Sequence, residues 1–327
     1  MQSKKRNKMI DTAFLLHYGS LAFTVTLSGL GVSIGQGRIS VAALQAAFIQ
    51  PRAQQQISKL SLLAMALTET AAVLGLVIVI LLFFNTPLSP EKSLLISVAQ
   101  AGTPFAIGLT GVAISIISAL PAREALLSVA RQPFFGDKIS NLMLITMSII
   151  QSPLIFGVIL VMLIHLQIND ITSINDSLRY FSATMCLGLG SVGPALGQGI
   201  FAKSACSSVG IDRNAYRSIL TFSLLSQSII ETPIIFSLLA SFIMLTASTP
   251  SDLKAVGYIM TGISMGLCNL MSGISSGKVS AAACKQIGLN HANTASISRT
   301  SLLAQGLIDT FAIYGLIVGI LLIFSPV

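Results

Sequence analysis

The sequence has no tryptophan, 6% aromatic residues and 9% Asp, Glu, Lys and Arg, where an ordinary soluble chain carries about 25% charged residues. So few aromatics leave no stacking platform for single-stranded nucleic acid, and the net charge of +8 needs another origin. The cysteines, Cys186, Cys206, Cys268 and Cys284, show no C-x-x-C spacing and sit among small apolar residues. They read as inert packing residues rather than disulfide partners or metal ligands. His17, His165 and His291 share no spacing, which excludes a histidine-based active site as the organising feature. With 30 charged side chains among 327 residues, a soluble enzyme could not cover its surface.

What is present is apolar. Hydrophobic residues make up 53% of the chain and mean hydropathy is +0.84. Apolar runs fall at 12–49, 56–84, 93–130, 138–167, 177–209, 216–247, 255–289 and 296–325, each long enough for the roughly 20 residues that cross a bilayer. The expected fold is an all-α membrane protein with eight transmembrane helices.

The runs repeat. Ser-Ile-Ile-Gln-Ser-Pro-Leu-Ile-Phe at 148–156 returns as Ser-Ile-Ile-Glu-Thr-Pro-Ile-Ile-Phe at 228–236. A shift of 162 carries Gly35-Gln36-Gly37 onto Gly197-Gln198-Gly199 and Glu69-Thr70 onto Glu231-Thr232. Shifts of 82 and 240 carry Glu69 onto Gln151 and onto Asp309. The chain is therefore expected to be four tandem helical hairpins, at 12–85, 93–168, 177–247 and 255–325, after a basic tail at 1–11.

First helices of the hairpins carry small residues at every second position, as in Gly29, Gly31, Ser33, Gly35 and Gly37, or Ser191, Gly193, Ala195, Gly197 and Gly199. Glycine costs about 1 kcal/mol in a helix interior. Lipid offers no hydrophobic drive for helix association, so small residues that let backbones approach supply the reason. The pattern suits helices crowded on both sides, as in an inner ring.

Basic residues cluster at one side. The four intra-hairpin loops and adjoining helix ends hold twelve, among them Arg38, Arg123, Lys203 and Lys278, while the linkers hold only Lys92, Arg179 and Lys254. The positive-inside rule puts the hairpin loops in the cytoplasm and the termini outside. The basic tail (Lys4, Lys5, Arg6, Lys8) runs against that assignment.

Three acids, Glu69, Glu231 and Asp309, fall near the middle of second helices. A charge at bilayer centre costs roughly 2.5–3.5 kcal/mol on insertion scales, and such residues are functional by default. Desolvation favours the neutral form, so each acid is expected uncharged unless a cation is bound, which is what a reversible ion carrier requires. Other oxygens fall at the same level. Gln36 and Gln198 each precede an acid by 33 residues, and a hydroxyl follows each equivalent position at Thr70, Ser152, Thr232 and Thr310. Pro233 and Pro153 have no N–H, which frees the carbonyls of Ile229 and Ile149. Carboxylate, amide, hydroxyl and carbonyl oxygens suit a hard cation. Gly273-Ile-Ser-Ser-Gly277-Lys278 mimics a phosphate loop, but its glycine spacing is one short and Val279 replaces the required hydroxyl residue.

Gly-Pro-Ala-Leu-Gly-Gln-Gly at 193–199, Ser128-Val129-Ala130-Arg131-Gln132-Pro133 and Glu69-Thr70 resemble the c subunit (proteolipid) of F-type rotary ATP synthases, over nearly the whole chain. The resemblance is greatest to sodium-binding members, in which a first-helix Gln and a second-helix Glu-Ser or Glu-Thr pair hold the ion. It implies a non-catalytic, ion-translocating rotor subunit with no cofactor. Its ion would be Na⁺ or H⁺, held by Glu69, Gln36, Thr70 and Leu67, by Glu231, Gln198, Thr232 and Ile229, and by Asp309, Ser276 and Thr310. Na⁺ is expected at Glu69 and Glu231; the shorter acid and missing amide at Asp309 suit a proton. Implied partners are copies of this chain in a homo-oligomeric ring, a stator a subunit with an arginine, the central stalk and membrane lipid, with no nucleic acid. Stalk contacts would come from Gln50, Pro51, Arg52, Arg131, Gln132, Pro133 and Arg213, and the implied location is a bacterial inner membrane. Gln151 is the non-ionisable counterpart, and Ser152 with the Ile149 carbonyl is expected to complete a neighbour's site. Losing one carboxylate in four would lower the ions moved per turn. Two rival readings are a secondary ion-coupled transporter, whose repeats are often inverted, and a V-type-like proteolipid of an ATP-driven pump, which shares the fused hairpins. A third is a structural proteolipid ring without turnover.

Overall fold

The computed structural model describes residues 2–85, 92–248 and 251–325, with side chains from Asp11 onward except that of Asn85. The side chains of the basic tail and the middle of the first linker lie outside these residues. Among the described residues, ten α-helices make eight rods. The rods are α1 (Gln2–Ile49), α2 (Gln54–Asn85), α3 (Ser93–Gln100) continuing into α4 (Thr110–Arg131), α5 (Gly136–Ile150) continuing into α6 (Ser152–Gln167), α7 (Ile174–Ile211), α8 (Tyr216–Thr246), α9 (Asp252–Leu289) and α10 (Thr294–Phe324). Each pair of rods in a hairpin is joined by one tight turn that opens at residue 51, 133, 213 or 291. Among the described residues there is no strand.

Local sequence explains the ends and the breaks. Ser173 and Ser251 cap α7 and α9, accepting bonds from the Asp176 and Lys254 amides, which satisfies orphan donors of the first turn. The rod α3–α4 is interrupted by a wider turn at Pro104–Leu109, because Pro104 has no N–H to continue the ladder. The rod α5–α6 breaks at Gln151, with Pro153 in the first turn of α6.

The first rods of the hairpins stand side by side in the order α1, α3–α4, α7, α9, and the second rods pack behind them. Missing side chains make this approach possible. A Cβ on Gly197 would overlap the carbonyl of Gly273, and one on Gly277 would overlap the backbone of Gly197. Gly31 is equally closed, its Cβ position lying 2.5 Å from Val112 Cα. The two middle first rods are consequently the most buried, while α1, α2 and α10 at the flanks keep long apolar faces exposed.

Four of the twelve basic residues counted on the loop side lie within the rods. Arg38, Arg123, Lys203 and Lys278 belong to the apolar runs as well as to the count over loops and adjoining helix ends, and each sits inside its rod. Arg38 is 11 residues before the end of α1, and Lys203 is 8 before the end of α7. The apolar runs continue past these charges, so loop and helix bases could not be separated by counting alone.

Candidate functional site

The second rods carry the acids and the first rods face them with small polar side chains. The three acids differ in surroundings. Asp309 on α10 is buried, and its Oδ1 accepts from Ser272 at 2.9 Å and Ser276 at 3.0 Å on α9, while Oδ2 has no partner among the described residues. Glu231 on α8 is half-buried and its Oε1 accepts from Ser152 at 2.5 Å. Glu69 on α2 is exposed and makes no hydrogen bond or ion pair among the described residues. Within the same residues none of the three pairs with Lys or Arg.

The Ser152–Glu231 bond crosses from the second hairpin to the third. A parallel crossing joins the first hairpin to the second. Gln151 Nε2 donates to the Leu67 carbonyl at 2.6 Å, and its Oε1 accepts from the Thr70 hydroxyl. An amide meets both neighbours, because its carbonyl accepts from the hydroxyl and its NH₂ donates to the backbone carbonyl. Leu67 and Thr70, grouped from sequence with Glu69, are thus turned to the next hairpin. The reason is geometric: a helical hydroxyl one residue past the acid points to a different side of the rod.

Other expected ligands are placed as follows. Gln36 donates to the Met65 carbonyl at 3.4 Å, one turn from Glu69 on the same rod. Gln198 is 0% exposed and neither amide atom has a partner among the described residues. That is costly, since an unsatisfied buried polar group loses about 1–3 kcal/mol. Thr232 bonds the Ser228 carbonyl and Thr310 the Leu307 carbonyl, within their own helices. No side chain among the described residues bonds the freed carbonyl of Ile229; the backbone N–H of Gln151 donates to the carbonyls of Ile149 and Ser148 at the helix break.

Several residues were not anticipated. Ser272 stands one turn before Ser276, a spacing that puts both on one helix face. Gln227 and Gln305 tie neighbouring second rods together, donating to the Thr146 carbonyl at 3.1 Å and Ser226 at 3.3 Å. Asn269, where the first hairpin has Gly29, donates to the Pro233 carbonyl and to Ser237, both at 2.7 Å, and so holds the proline-containing part of α8. Near the opposite end of the rods His17 meets Gln100 at 2.6 Å.

At the loop end, Gln132 donates to the Gly210 carbonyl at 3.0 Å, and His291 lies 3.2 Å from Asp212. Arg131, Pro133, Phe134 and Arg213 line one shallow depression there, and the Phe134 side chain is fully exposed. Gln50, Pro51 and Arg52 form the corresponding turn of the first hairpin.

Comparison with known proteins is consistent with this geometry. The profile of the ATP synthase C-subunit family matches residues 20–82, 181–244 and 259–322, together more than half of the chain. These segments are the first, third and fourth hairpins. The second ATP synthase c subunit of Cereibacter sphaeroides is 39% identical over 66 residues, which is 20% of this chain and 80% of the relative. The ATP synthase c subunit of Thermotoga petrophila is 33% identical over 67 residues, covering 20% and 79%. That of Synechococcus sp. PCC 6716 is 38% identical over 66 residues, covering 20% and 80%. Each relative thus matches about one hairpin's length of this polypeptide. With eight long apolar helices arranged as tandem hairpins, the chain is a multi-pass membrane protein that belongs to the family of ATP synthase c subunits.

Proposed function

We propose that the chain is the rotor-ring subunit of a rotary ATP synthase or ATPase in which three acids per chain, Glu69, Glu231 and Asp309, exchange an ion and the fourth position does not. The observation that carries this reading is the pair of crossings at equivalent places: Ser152 reaching Glu231, and Leu67 with Thr70 reaching Gln151. The first and second hairpins each lend a hydroxyl to the acid position of the hairpin that follows, whereas Thr232 of the third stays on its own Ser228 carbonyl. Continued around a closed ring of copies, Thr310 and the Leu307 carbonyl of one copy would serve Glu69 of the next, the acid that stands exposed on the flank of a single chain.

The donor set divides the ions. Glu231 meets the Ser152 hydroxyl, and the buried amide of Gln198, 33 residues before it, has no partner among the described residues, so carboxylate, hydroxyl and amide oxygens make a set of the kind that takes a hard cation. Glu69 has Gln36 in the corresponding place. We assign Na⁺ to these two. Asp309 is held by two serine hydroxyls with no amide, and we assign it H⁺. A stator a subunit would supply the arginine that discharges each acid, and the central stalk would grip the loop end around Arg52, Arg131, Phe134 and Arg213. Hairpin loops face the cytoplasm of a bacterial inner membrane in this reading, with both termini outside.

Carbodiimide modification of the purified protein, followed residue by residue with mass spectrometry, tests the reading. Sodium should protect Glu69 and Glu231 while leaving Asp309 reactive. Labelling of all three that is indifferent to sodium would overturn the sodium assignment. Activity that survives conversion of all three acids to amides would overturn the transport role.

A further inference from the structure

Two buried oxygens on α10 lack a donor. Oδ2 of Asp309 and Oε1 of Gln305 are both shut away from solvent and have no hydrogen-bond partner among the described residues. The two residues stand one helical turn apart on the same buried face, with Ser301 a further turn towards the loop. Side chains of a helix lean towards its N-terminus, so Asp309 leans over the turn that carries Gln305.

The other polar atoms of both side chains are engaged. Oδ1 of Asp309 accepts from Ser272 at 2.9 Å and from Ser276 at 3.0 Å. The Gln305 NH₂ donates to the Ser301 hydroxyl at 3.0 Å, to the Ser301 carbonyl at 3.3 Å and to the Ser226 hydroxyl on α8 at 3.3 Å. A backbone carbonyl can only accept, so these bonds fix which end of the amide is nitrogen. They turn the amide oxygen away from Ser301. Two acceptors cannot satisfy each other, but one proton between them satisfies both.

The repeat makes the arrangement particular to the fourth hairpin. The shifts that align the acids carry Met65 onto Met147, Gln227 and Gln305. They also carry Gln36 onto Gln198 and Ser276. The fourth hairpin therefore lacks the first-rod amide and has one on the acid's own rod instead. In the third hairpin Gln227 holds the same place, but there Gln198 remains and Glu231 is half-buried.

We propose that Gln305 is the acceptor for the proton carried by Asp309 and so determines the proton affinity of that site. In the loaded state the Oδ2–H group donates to Oε1 of Gln305, while Oδ1 keeps its two serine donors. On unloading only the O–H bond breaks, and the carboxylate then faces the lone pairs of Oε1, which favours reloading. The inference rests on the assignment of H⁺ to Asp309. The ionisable groups nearest in level on the rods packed against it are Glu231 on α8, Cys268 and Lys278 on α9, and Arg299 and Tyr314 on α10 itself. None of these bonds Asp309; its partners are the two serines.

Carbodiimide labelling of the purified ring over a pH series without sodium, read residue by residue with mass spectrometry, tests the proposal. Carbodiimide attacks the protonated carboxyl. Gln305→Met introduces the residue that the first two hairpins carry at this place. Loss of the acceptor weakens the protonated form, so half-maximal labelling of Asp309 should move about one unit lower in pH, a roughly tenfold loss of proton affinity. Glu69 should keep its profile. Ser226→Ala cuts the tie between α8 and α10 but leaves the Gln305 oxygen, so Asp309 should titrate as in wild type. An unchanged Asp309 profile in Gln305→Met, or an equal shift in Ser226→Ala, would overturn the proposal. A wild-type Asp309 that takes no label at any pH would overturn the proton assignment too, whereas a titrating Asp309 indifferent to Gln305→Met overturns this inference alone. Should Gln305→Met not assemble, solid-state NMR of the wild-type ring at acid pH decides. Magnetisation passing between the Asp309 carboxyl and Gln305 amide carbons through a shared proton supports the bond, and its absence refutes it.

Discussion

The hydroxyl of Ser152, on the second hairpin, lies 2.5 Å from Oε1 of Glu231 on the third. A polar atom of one repeat therefore completes the surroundings of an acid on another, although the two residues are 79 positions apart. Removing the hydroxyl isolates its role. In Ser152→Ala the half-buried acid loses its observed donor, and a hydrogen bond to a charged group is worth about 1.5–3 kcal/mol. Sodium protection of Glu231 from carbodiimide should then need roughly tenfold more sodium or greater, at constant protection of Glu69. An unchanged sodium titration would show that Ser152 is a bystander.

Gln151 offers the opposite experiment. A protonated Glu placed there can reproduce both existing bonds, accepting from Thr70 and donating its O–H to the Leu67 carbonyl. Gln151→Glu should fold and should raise the number of carbodiimide-reactive intramembrane acids from three to four. A variant that folds and yet shows no label at position 151 would mean that the surroundings of Leu67 and Thr70 do not accommodate a titrating group.

The junction between copies can be probed from the other end of the chain. Thr310→Ala should weaken sodium protection of Glu69 in the assembled ring and leave protection of Glu231 intact. In dissociated single chains the same substitution should change nothing at Glu69. Equal effects in the ring and in single chains would argue that Thr310 acts within its own hairpin.

Glycines in the same repeated motif should respond differently. A Cβ at Gly197 overlaps the Gly273 carbonyl, whereas at Gly37 nothing lies within 4 Å. Gly197→Ala forces α7 and α9 apart, and overpacking of this kind costs typically about 1–3 kcal/mol. Gly37→Ala should be neutral or gain up to about 1 kcal/mol of helix propensity. Thermal unfolding in detergent distinguishes them, and equal behaviour of the two variants would contradict the close α7–α9 approach.

Much of the architecture is legible in the amino-acid sequence because bilayer thickness and hairpin repetition leave coarse, additive signals. The eight apolar runs mark the eight rods, and the repeat shifts align Glu69, Gln151, Glu231 and Asp309. What escaped was direction around the rods. Shifts of 82 and 162 align Thr70 with Ser152 and Thr232, yet Thr70 turns to Gln151 while Thr232 bonds its own Ser228 carbonyl. Such choices depend on whether a neighbouring rod presents a partner, which a one-dimensional repeat does not encode. Depth was blurred for a similar reason: charge counting groups Lys203 with the loops and adjoining helix ends, although the helix continues for eight more residues. Ser272 was recoverable from its spacing of four to Ser276, and Asn269 carried a signal as the polar residue standing where the first hairpin has glycine.

The amide at position 151 has a mechanical consequence. If Glu69, Glu231 and Asp309 exchange an ion as proposed, each would alternately make and release the contacts around it, and the seams they border would loosen with each passage. The seam between the first two hairpins is exempt, because Gln151 keeps its grip on Leu67 and Thr70 whatever the surrounding salt or acidity. In a wheel of such chains, every fourth seam would be a permanently fastened spoke. Torsional stiffness would then vary with a period of one polypeptide, and twist stored during rotation would collect in the three seams that open.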